Sequence, residues 1–131
     1  LVGRGRSYVY LNGTVKGRTI SCLLDSGSQI TLAPYEIVKK FKCRLKPTNG
    51  SPISLEGEAV LPIHFSGRRV ETTVLVSKDL TETILGIDWL QEHDCNWDFV
   101  QGRIRLGDGE FLQLCRALQK AFAESFAEPF R

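Results

Sequence analysis

An aspartate at the end of an apolar run is the strongest sign of chemistry in this chain. Residues 20–24 read Ile-Ser-Cys-Leu-Leu, and Asp25, Ser26 and Gly27 follow directly. An ionised carboxylate at the end of a buried strand is costly unless it is paired, hydrogen-bonded or protonated. Serine and glycine favour a tight turn, and glycine lets another backbone come close. Asp25 is therefore a candidate for acid–base chemistry on a peptide-like substrate, although Asp-Ser-Gly alone is also a common surface turn.

A second motif is centred 61 positions after Asp25. Residues 83–90 read Thr-Ile-Leu-Gly-Ile-Asp-Trp-Leu, in which Gly86 follows a short apolar strand. In order and spacing, the two motifs resemble the catalytic loop of retropepsin-type aspartic proteases and the strand, glycine and short helix that pack beneath it. The form of the second motif resembles proteases of gypsy-type LTR retrotransposons, or of host genes derived from them. The resemblance covers residues 8–107.

The resemblance implies a role for each residue of the first motif. Asp25 is the catalytic acid, the hydroxyl of Ser26 hydrogen-bonds across a dimer axis, and Gly27 accepts a hydrogen bond from the substrate backbone. Gly86 lets the second motif pack closely beneath the catalytic loop. The residues implied to contact substrate are Gly27, Ser28, Gln29, Ile84 and the flap tip formed by Asn49, Gly50 and Ser51.

Ser28 stands at a position that alanine often fills in this family. A hydroxyl there could donate to the Asp25 carboxylate and stabilise its ionised form. This hypothesis predicts that Ser28→Ala moves the acidic limb of the pH–rate profile upward. Gln29 and Ile30 replace acidic residues seen in many retroviral enzymes, which leaves the subsite preferences open.

Peptide hydrolysis of this kind needs two carboxylates around one water, and the two carboxylates share one proton. The chain contains one Asp-Ser/Thr-Gly sequence, at residues 25–27. Half an active site per chain predicts a twofold-symmetric homodimer in which Asp25 meets its own copy. The resemblance implies extended peptide substrates with side chains in alternating apolar pockets, the parent polyprotein as the natural substrate, and no metal or organic cofactor.

Around these motifs, short runs rich in β-forming residues alternate with turn signals. This pattern predicts a mostly β, closed barrel-like domain. Short helices are expected at residues 35–41 and 88–92. Between the first two strands, Asn12-Gly13 is the stronger local hairpin signal, whereas the resemblance favours a turn at Lys16-Gly17. Residues 44–57, rich in proline, asparagine and glycine, read as a surface hairpin, which the resemblance identifies as the flap that closes over substrate.

The C-terminal residues change in character. Apolar and small residues recur at steps of three or four, which predicts an amphipathic helix of about four turns from Glu110 onward; they are Phe111, Leu114, Cys115, Leu118, Ala121, Phe122 and Ser125. Such a helix would pack on its own barrel or on a dimer mate, or serve as a linker. The expected organisation is a flexible tail at residues 1–7, a protease domain at 8–107 and a helical extension or linker at 108–131.

Composition limits the other classes of function. At 131 residues the chain is one domain, and its net charge of +2 predicts no general nucleic-acid-binding surface. No apolar run approaches the roughly 18 residues of a membrane-spanning helix. The four cysteines lack Cys-x-x-Cys spacing and the two histidines lack a ligand set, which predicts free thiols and no metal site. We therefore expect a cytoplasmic protein, or one inside intracellular virus-like particles.

Three alternatives stay open at this stage. The domain could belong to a host protein, either a proteasome shuttle or a domesticated transposon gene, and the flanking sequence would decide. It could be a dimerisation or peptide-binding module without turnover, against which the intact Asp25-Ser26-Gly27 argues. It could be a plain β-barrel binding module with a coincidental turn, against which the second motif argues.

Overall fold

Six strands close into a barrel in the computed structural model, which describes residues 7–48 and 55–118 and the backbone of residues 128–129. These strands are β1 (Tyr8–Val15), β2 (Arg18–Leu24), β3 (Leu32–Pro34), β4 (Leu55–Phe65), β5 (Arg68–Ser77) and β6 (Thr83–Leu85). They lie in the order β1-β2-β6-β3-β5-β4, and β4 returns to β1 where Thr14 pairs with His64. The predicted mostly β barrel is confirmed.

Two short helices and a small second sheet complete the described structure. Helix α1 (Tyr35–Lys40) follows β3, and helix α2 (Ile87–Glu92) follows β6. The second sheet contains β7 (Cys95–Asp98), β8 (Arg103–Leu106) and β9 (Phe111–Gln113). Strand β10 (Cys115–Ala117) pairs with the start of β1, and β11 (Glu128–Pro129) pairs with β10. No helix in the described ranges is long and apolar enough to cross a membrane.

The first hairpin turns at Lys16-Gly17, as the family resemblance predicted. Both residues have positive φ, at 52° and 80°. The local Asn-Gly signal is therefore wrong as a turn: Gly13 lies inside β1, where an added Cβ would come within 2.7 Å of the His64 carbonyl oxygen. Continuing β1 to Val15 adds ladder pairs with β2 and lets β1 meet β4, and these contacts outweigh the local turn preference.

The prediction of a C-terminal helix beginning at Glu110 is wrong for the part that the structure describes. Residues 111–113 and 115–117 are the strands β9 and β10. Leu114, between them, is fully buried, and Ala117 packs against Tyr10. Apolar residues three or four positions apart also fit a chain that passes from one sheet to another, as this chain does at Leu114. Residues 111–113 pair with the edge of β8 and residues 115–117 pair with the edge of β1, and this strand pairing replaces the predicted helix. The rest of the predicted helix lies outside the described residues.

The barrel core is apolar and close-packed around Trp89 of α2, which is 2% exposed. Its ring meets Phe65 edge-on at 6.0 Å between centroids. Its indole N–H donates to the hydroxyl of Thr72, at 3.1 Å, so the one polar atom of this side chain is satisfied in the interior. Helix α2 is thereby anchored to β5, and this anchor holds the second sequence motif in place.

Candidate active site

Asp25 is positioned by the pairing of two buried strands. Strand β2 runs parallel to β6, with Leu24 opposite Leu85. The backbone N–H of Asp25 donates to the Leu85 carbonyl, at 3.1 Å, as the chain leaves the sheet. Asp25 is half-buried, whereas Ser26 and Gly27 beyond it are exposed. The pairing of β2 with β6 therefore places the Asp25 carboxylate at the edge of the barrel.

A tight turn fixes the direction of this carboxylate. Oδ1 of Asp25 accepts the N–H of Gly27 at 2.9 Å, and the carbonyl of Asp25 accepts the N–H of Ser28 at 3.1 Å. This is the local hydrogen bonding that aspartate provides in turns. An added Cβ on Gly27 would lie 3.2 Å from the same Oδ1, so glycine leaves the face of the carboxylate uncovered.

Gly86 lies directly beneath the loop. A Cβ at this position would come within 2.5 Å of the Ile30 carbonyl oxygen and 2.7 Å of the Ser28 carbonyl oxygen. The next residue, Ile87, donates its N–H to the Ser28 carbonyl at 2.8 Å. The predicted close packing of the second motif under the first is confirmed.

A row of partly buried apolar side chains runs across the sheet beside Asp25. Register pairs Leu23 with Ile84, Ile84 with Leu32, and Leu32 with Leu75. Paired residues share one face of a sheet. Their chain neighbours of opposite parity are buried in the main core; they are Cys22, Leu24, Leu85, Ala33, Val74 and Val76. The row formed by Leu23, Ile84, Leu32 and Leu75 therefore faces away from that core and can receive apolar side chains.

Comparison with known proteins agrees with this geometry. No family model matches the sequence, and no curated protein matches it. The retroviral protease-like domain of Ddi1 from Leishmania major superposes with a TM-score of 0.72, covering 80% of this chain and 93% of that one at 18% identity. A retropepsin-like aspartic protease from Rickettsia conorii gives 0.50, covering 86% and 91% at 18% identity. This chain has the retropepsin fold.

Within this retropepsin fold, the Ser28 hydroxyl does not have the predicted partner. It donates to the carbonyl of Ile30, at 2.8 Å, rather than to the Asp25 carboxylate. The turn already supplies the Gly27 N–H to that carboxylate, and the Ser28 side chain instead closes the next turn of the loop. The hypothesis of direct stabilisation of Asp25 by Ser28 is therefore wrong.

Of the other predicted contact residues, the structure describes Gln29 and Ile84 but not the flap tip. Gln29 is exposed, and its carbonyl accepts the N–H of Asp88 at 3.3 Å. Ile84 lies in the apolar row. The flap tip, Asn49 to Ser51, lies outside the described residues. At the base of that hairpin, Lys46 and Glu58 exchange two backbone hydrogen bonds of 2.7 Å, which brings its two arms together.

Sequence reasoning missed three of the four residues in the apolar row. Only Ile84 was predicted, by family resemblance. Leu23 and Leu24 are both apolar, so an alternation of apolar and polar residues along the strand cannot show which of them faces the core. Leu32 and Leu75 lie in short strands whose partners are distant in sequence, and their register is a tertiary property.

A cavity of about 310 Å³ adjoins the far end of the row at Leu75. It is also lined by Ile30, Glu58 and Glu92. Leu75 therefore belongs both to the row and to the lining of this cavity. Within residues 7–48 and 55–118, no cluster of three His, Cys, Asp or Glu side chains could hold a metal ion.

Proposed function

We propose that this protein is an aspartic endopeptidase that acts as a homodimer. The observation that carries the proposal is the Asp25 carboxylate, held by the Gly27 N–H at the end of β2 beside an apolar row. The likeness in fold to a retropepsin-like aspartic protease supports the same reaction. The apolar row next to the carboxylate suits an extended peptide, whose side chains alternate in direction.

In the proposed reaction, a water molecule lies between the Asp25 carboxyl groups of two chains. One carboxylate takes a proton from the water, and the oxygen forms a bond to the peptide carbonyl carbon. The other, protonated Asp25 gives its proton to the carbonyl oxygen. The Asp25 that took the water proton then gives it to the nitrogen as the C–N bond breaks, and the other Asp25 takes a proton from one hydroxyl of the intermediate, which yields an acid and an amine and leaves one proton on the pair.

The second chain supplies the second acid. In one chain, Ser26 and Gly27 are exposed beside Asp25, so a twofold partner can approach this loop. We place the Ser26 hydroxyl across the dimer axis, where it holds the two loops in register. Residues 44–57 then act as the flap, with Asn49, Gly50 and Ser51 over the substrate.

The proposed natural substrate is the Gag-Pol polyprotein of a retroelement, cleaved in the cytoplasm or inside virus-like particles. The fold likeness to the Ddi1 domain favours a second candidate, a retropepsin-like domain of a host protein. The sequence flanking the domain separates the two, because a reverse transcriptase downstream indicates the element and a ubiquitin-like domain indicates the host protein. A dimerisation module without turnover is the remaining alternative.

The test is cleavage of a peptide library from acidic to neutral pH, with and without an aspartic-protease inhibitor. We expect wild type to cleave and Asp25→Asn to lose activity by at least about a thousandfold. Asp108→Asn, an exposed turn aspartate, is the matched control and should retain full activity. Activity should rise faster than linearly with protein concentration if the dimer is the active form. Inhibitor-insensitive cleavage that survives Asp25→Asn would contradict the proposal.

A further inference from the structure

A half-buried glutamate lies beside the end of the apolar row that is farther from Asp25. Leu75, the last residue of the row, pairs directly with Glu58 on the neighbouring strand β4. Paired residues share one face of a sheet, so Glu58 lies on the same face as the row. Its chain neighbours Gly57 and Ala59 are buried, as the alternation of faces along a strand requires. Glu58 therefore extends the row by one strand and adds a carboxylate to it.

The cavity of about 310 Å³ lies against both Leu75 and Glu58. Its lining also includes Ile30, which belongs to the loop that carries Asp25 and is 42% exposed. The cavity is therefore bounded by the row on one side and by that loop on another. Ile30 and Leu75 give it apolar surface, Glu58 gives it a negative charge, and its volume is ample for one long side chain.

The charge of Glu58 has no counter-ion among the residues that the structure describes. None of the ion pairs within residues 7–48 and 55–118 includes it, and none of the described residues that line the cavity is basic. Lys46 pairs with Glu58 through the backbone, but it is exposed and lines a neighbouring cavity of about 200 Å³. Two further acids, Asp88 and Glu92, line the larger cavity, and Asp88 already accepts two hydrogen bonds from Thr31. A cation is thus the charge complement of this cavity.

We propose that Glu58 and this cavity form a subsite for a lysine or arginine side chain of the peptide substrate. The inference rests on the proposed function, because it requires a peptide extended along the apolar row. The methylene stem of the basic residue packs on Ile30 and Leu75, and its charged end meets the Glu58 carboxylate. Glu58 is accordingly a specificity-determining residue and takes no part in bond cleavage.

The place of Glu58 in the sheet limits which residue of the substrate can reach it. Strand β4 is the third strand from β6, across β3 and β5, so Glu58 and Ile84 are about 14 Å apart or less. Strand β6 ends at Leu85, whose carbonyl accepts the N–H of Asp25. An extended peptide advances about 3.3 Å per residue. The basic residue therefore lies within about four positions of the bond that is cleaved.

A lysine scan of a labelled peptide tests the subsite. Fluorescein-labelled extended peptides carry one lysine or one norleucine at each position within about four residues of the central bond. Norleucine has a similar unbranched stem and no charge, so each pair of peptides isolates the effect of the cation. Affinity is measured by fluorescence anisotropy on the Asp25→Asn protein, so that binding is read without turnover. At one position lysine should bind about fivefold more tightly than norleucine, and added salt should reduce this gain.

Two variants and one control assign the gain to Glu58. Glu58→Gln removes the charge at nearly constant size and should abolish the lysine gain. Glu58→Lys reverses the charge and should make glutamate the preferred residue at the same peptide position. Glu71→Gln is the matched control, because Glu71 is an exposed acid on the same face of β5 and does not line the cavity. With Asp25 intact, Glu58→Gln should raise KM for the lysine peptide by about fivefold and change kcat by less than about twofold.

The outcomes separate this inference from the proposed function. If wild type does not cleave but Glu58→Gln abolishes a lysine gain, the protease proposal fails and the subsite stands. If wild type cleaves and no scanned position shows a lysine gain, or the gain survives in Glu58→Gln, the subsite is overturned. Absence of peptide binding to every form also overturns the subsite, and cleavage by wild type then decides the protease proposal alone. If Glu58→Gln does not fold, which thermal unfolding reveals, the preference of Glu58→Lys decides the matter.

Discussion

Both carboxylate oxygens of Asp88 accept hydrogen bonds from Thr31: Oδ2 accepts the backbone N–H at 3.1 Å, and Oδ1 accepts the hydroxyl at 2.6 Å. The two residues are 57 positions apart and belong to the two halves of the candidate site. The Thr31 hydroxyl oxygen also accepts the N–H of Gly86, at 3.0 Å. Asp88 in addition receives the N–H of Trp89, at 2.7 Å, at the start of α2. This network ties the end of the loop that carries Asp25 to the helix beneath it.

Replacing Thr31 by valine tests this network with little change in side-chain shape. Thr31 is 2% exposed, so the variant leaves the Gly86 N–H without its acceptor in the interior and removes a donor from Asp88. We expect the free energy of unfolding to fall by about 2–3 kcal/mol in urea denaturation. Thr73→Val, at an exposed position of β5, is the matched control and should change the free energy of unfolding by less than about 0.5 kcal/mol. Equal effects of the two substitutions would contradict the role of Thr31.

Gly86→Ala tests the close approach of the two motifs. The added methyl would overlap two backbone carbonyl oxygens, which cannot move without displacing the loop that carries Asp25. We expect a loss of stability above about 3 kcal/mol or a failure to fold, with cleavage abolished in either case. Gly17→Ala is the control: its Cβ meets nothing within 4 Å, and its φ of +80° should cost about 1–2 kcal/mol. A Gly86→Ala protein as stable as Gly17→Ala would show that the contact is not restrictive.

Ser28→Ala should leave the acidic limb of the pH–rate profile where it is in wild type. The reason is geometric, because the hydroxyl donates to the Ile30 carbonyl and not to Asp25. Loss of this bond, in a loop next to solvent, should lower the free energy of unfolding by about 1 kcal/mol or less. The check is kcat/KM of wild type and variant across the acidic range. An upward shift of the limb would restore the hypothesis of a direct interaction between Ser28 and Asp25.

His93 should make the fold less stable in acid. Its ring lies 4.9 Å from that of Trp89, and burial is the main cause that lowers its pKa below the usual 6.5. The unfolded chain takes up this proton at a higher pH than the folded chain, so stability is lost as the pH falls below about 6.5. His93→Phe keeps an aromatic ring at this position and removes the titratable imidazole.

The measurement for His93 is the difference in free energy of unfolding between pH 7.5 and pH 5, in both proteins. We expect this difference to be smaller in His93→Phe, because the remaining carboxylates titrate alike in the two. The same pH dependence in variant and wild type would show that His93 is not the group responsible.

Much of the site was predictable because its parts are local. A tight turn after an apolar strand is encoded by Asp25, Ser26 and Gly27 themselves, whereas the need for space at Gly86 was implied by the family resemblance. The positions of α1, α2 and most strands also follow from nearby turn formers and from β-rich runs. Family resemblance chose the turn at Lys16-Gly17 where local rules favoured Asn12-Gly13.

What the sequence determined by itself was an acid on a turn after an apolar strand and a mostly β chain to hold it. Only the tertiary structure decided that Leu24 faces the main core while Leu23 lies in the apolar row, that residues 115–117 join β1 as a strand, and that Tyr10 reaches Glu82. The physical reason is that strand pairing and register join residues far apart in the chain. Such long-range hydrogen bonds and contacts are chosen by the packing of the whole barrel and leave no signal in the local pattern.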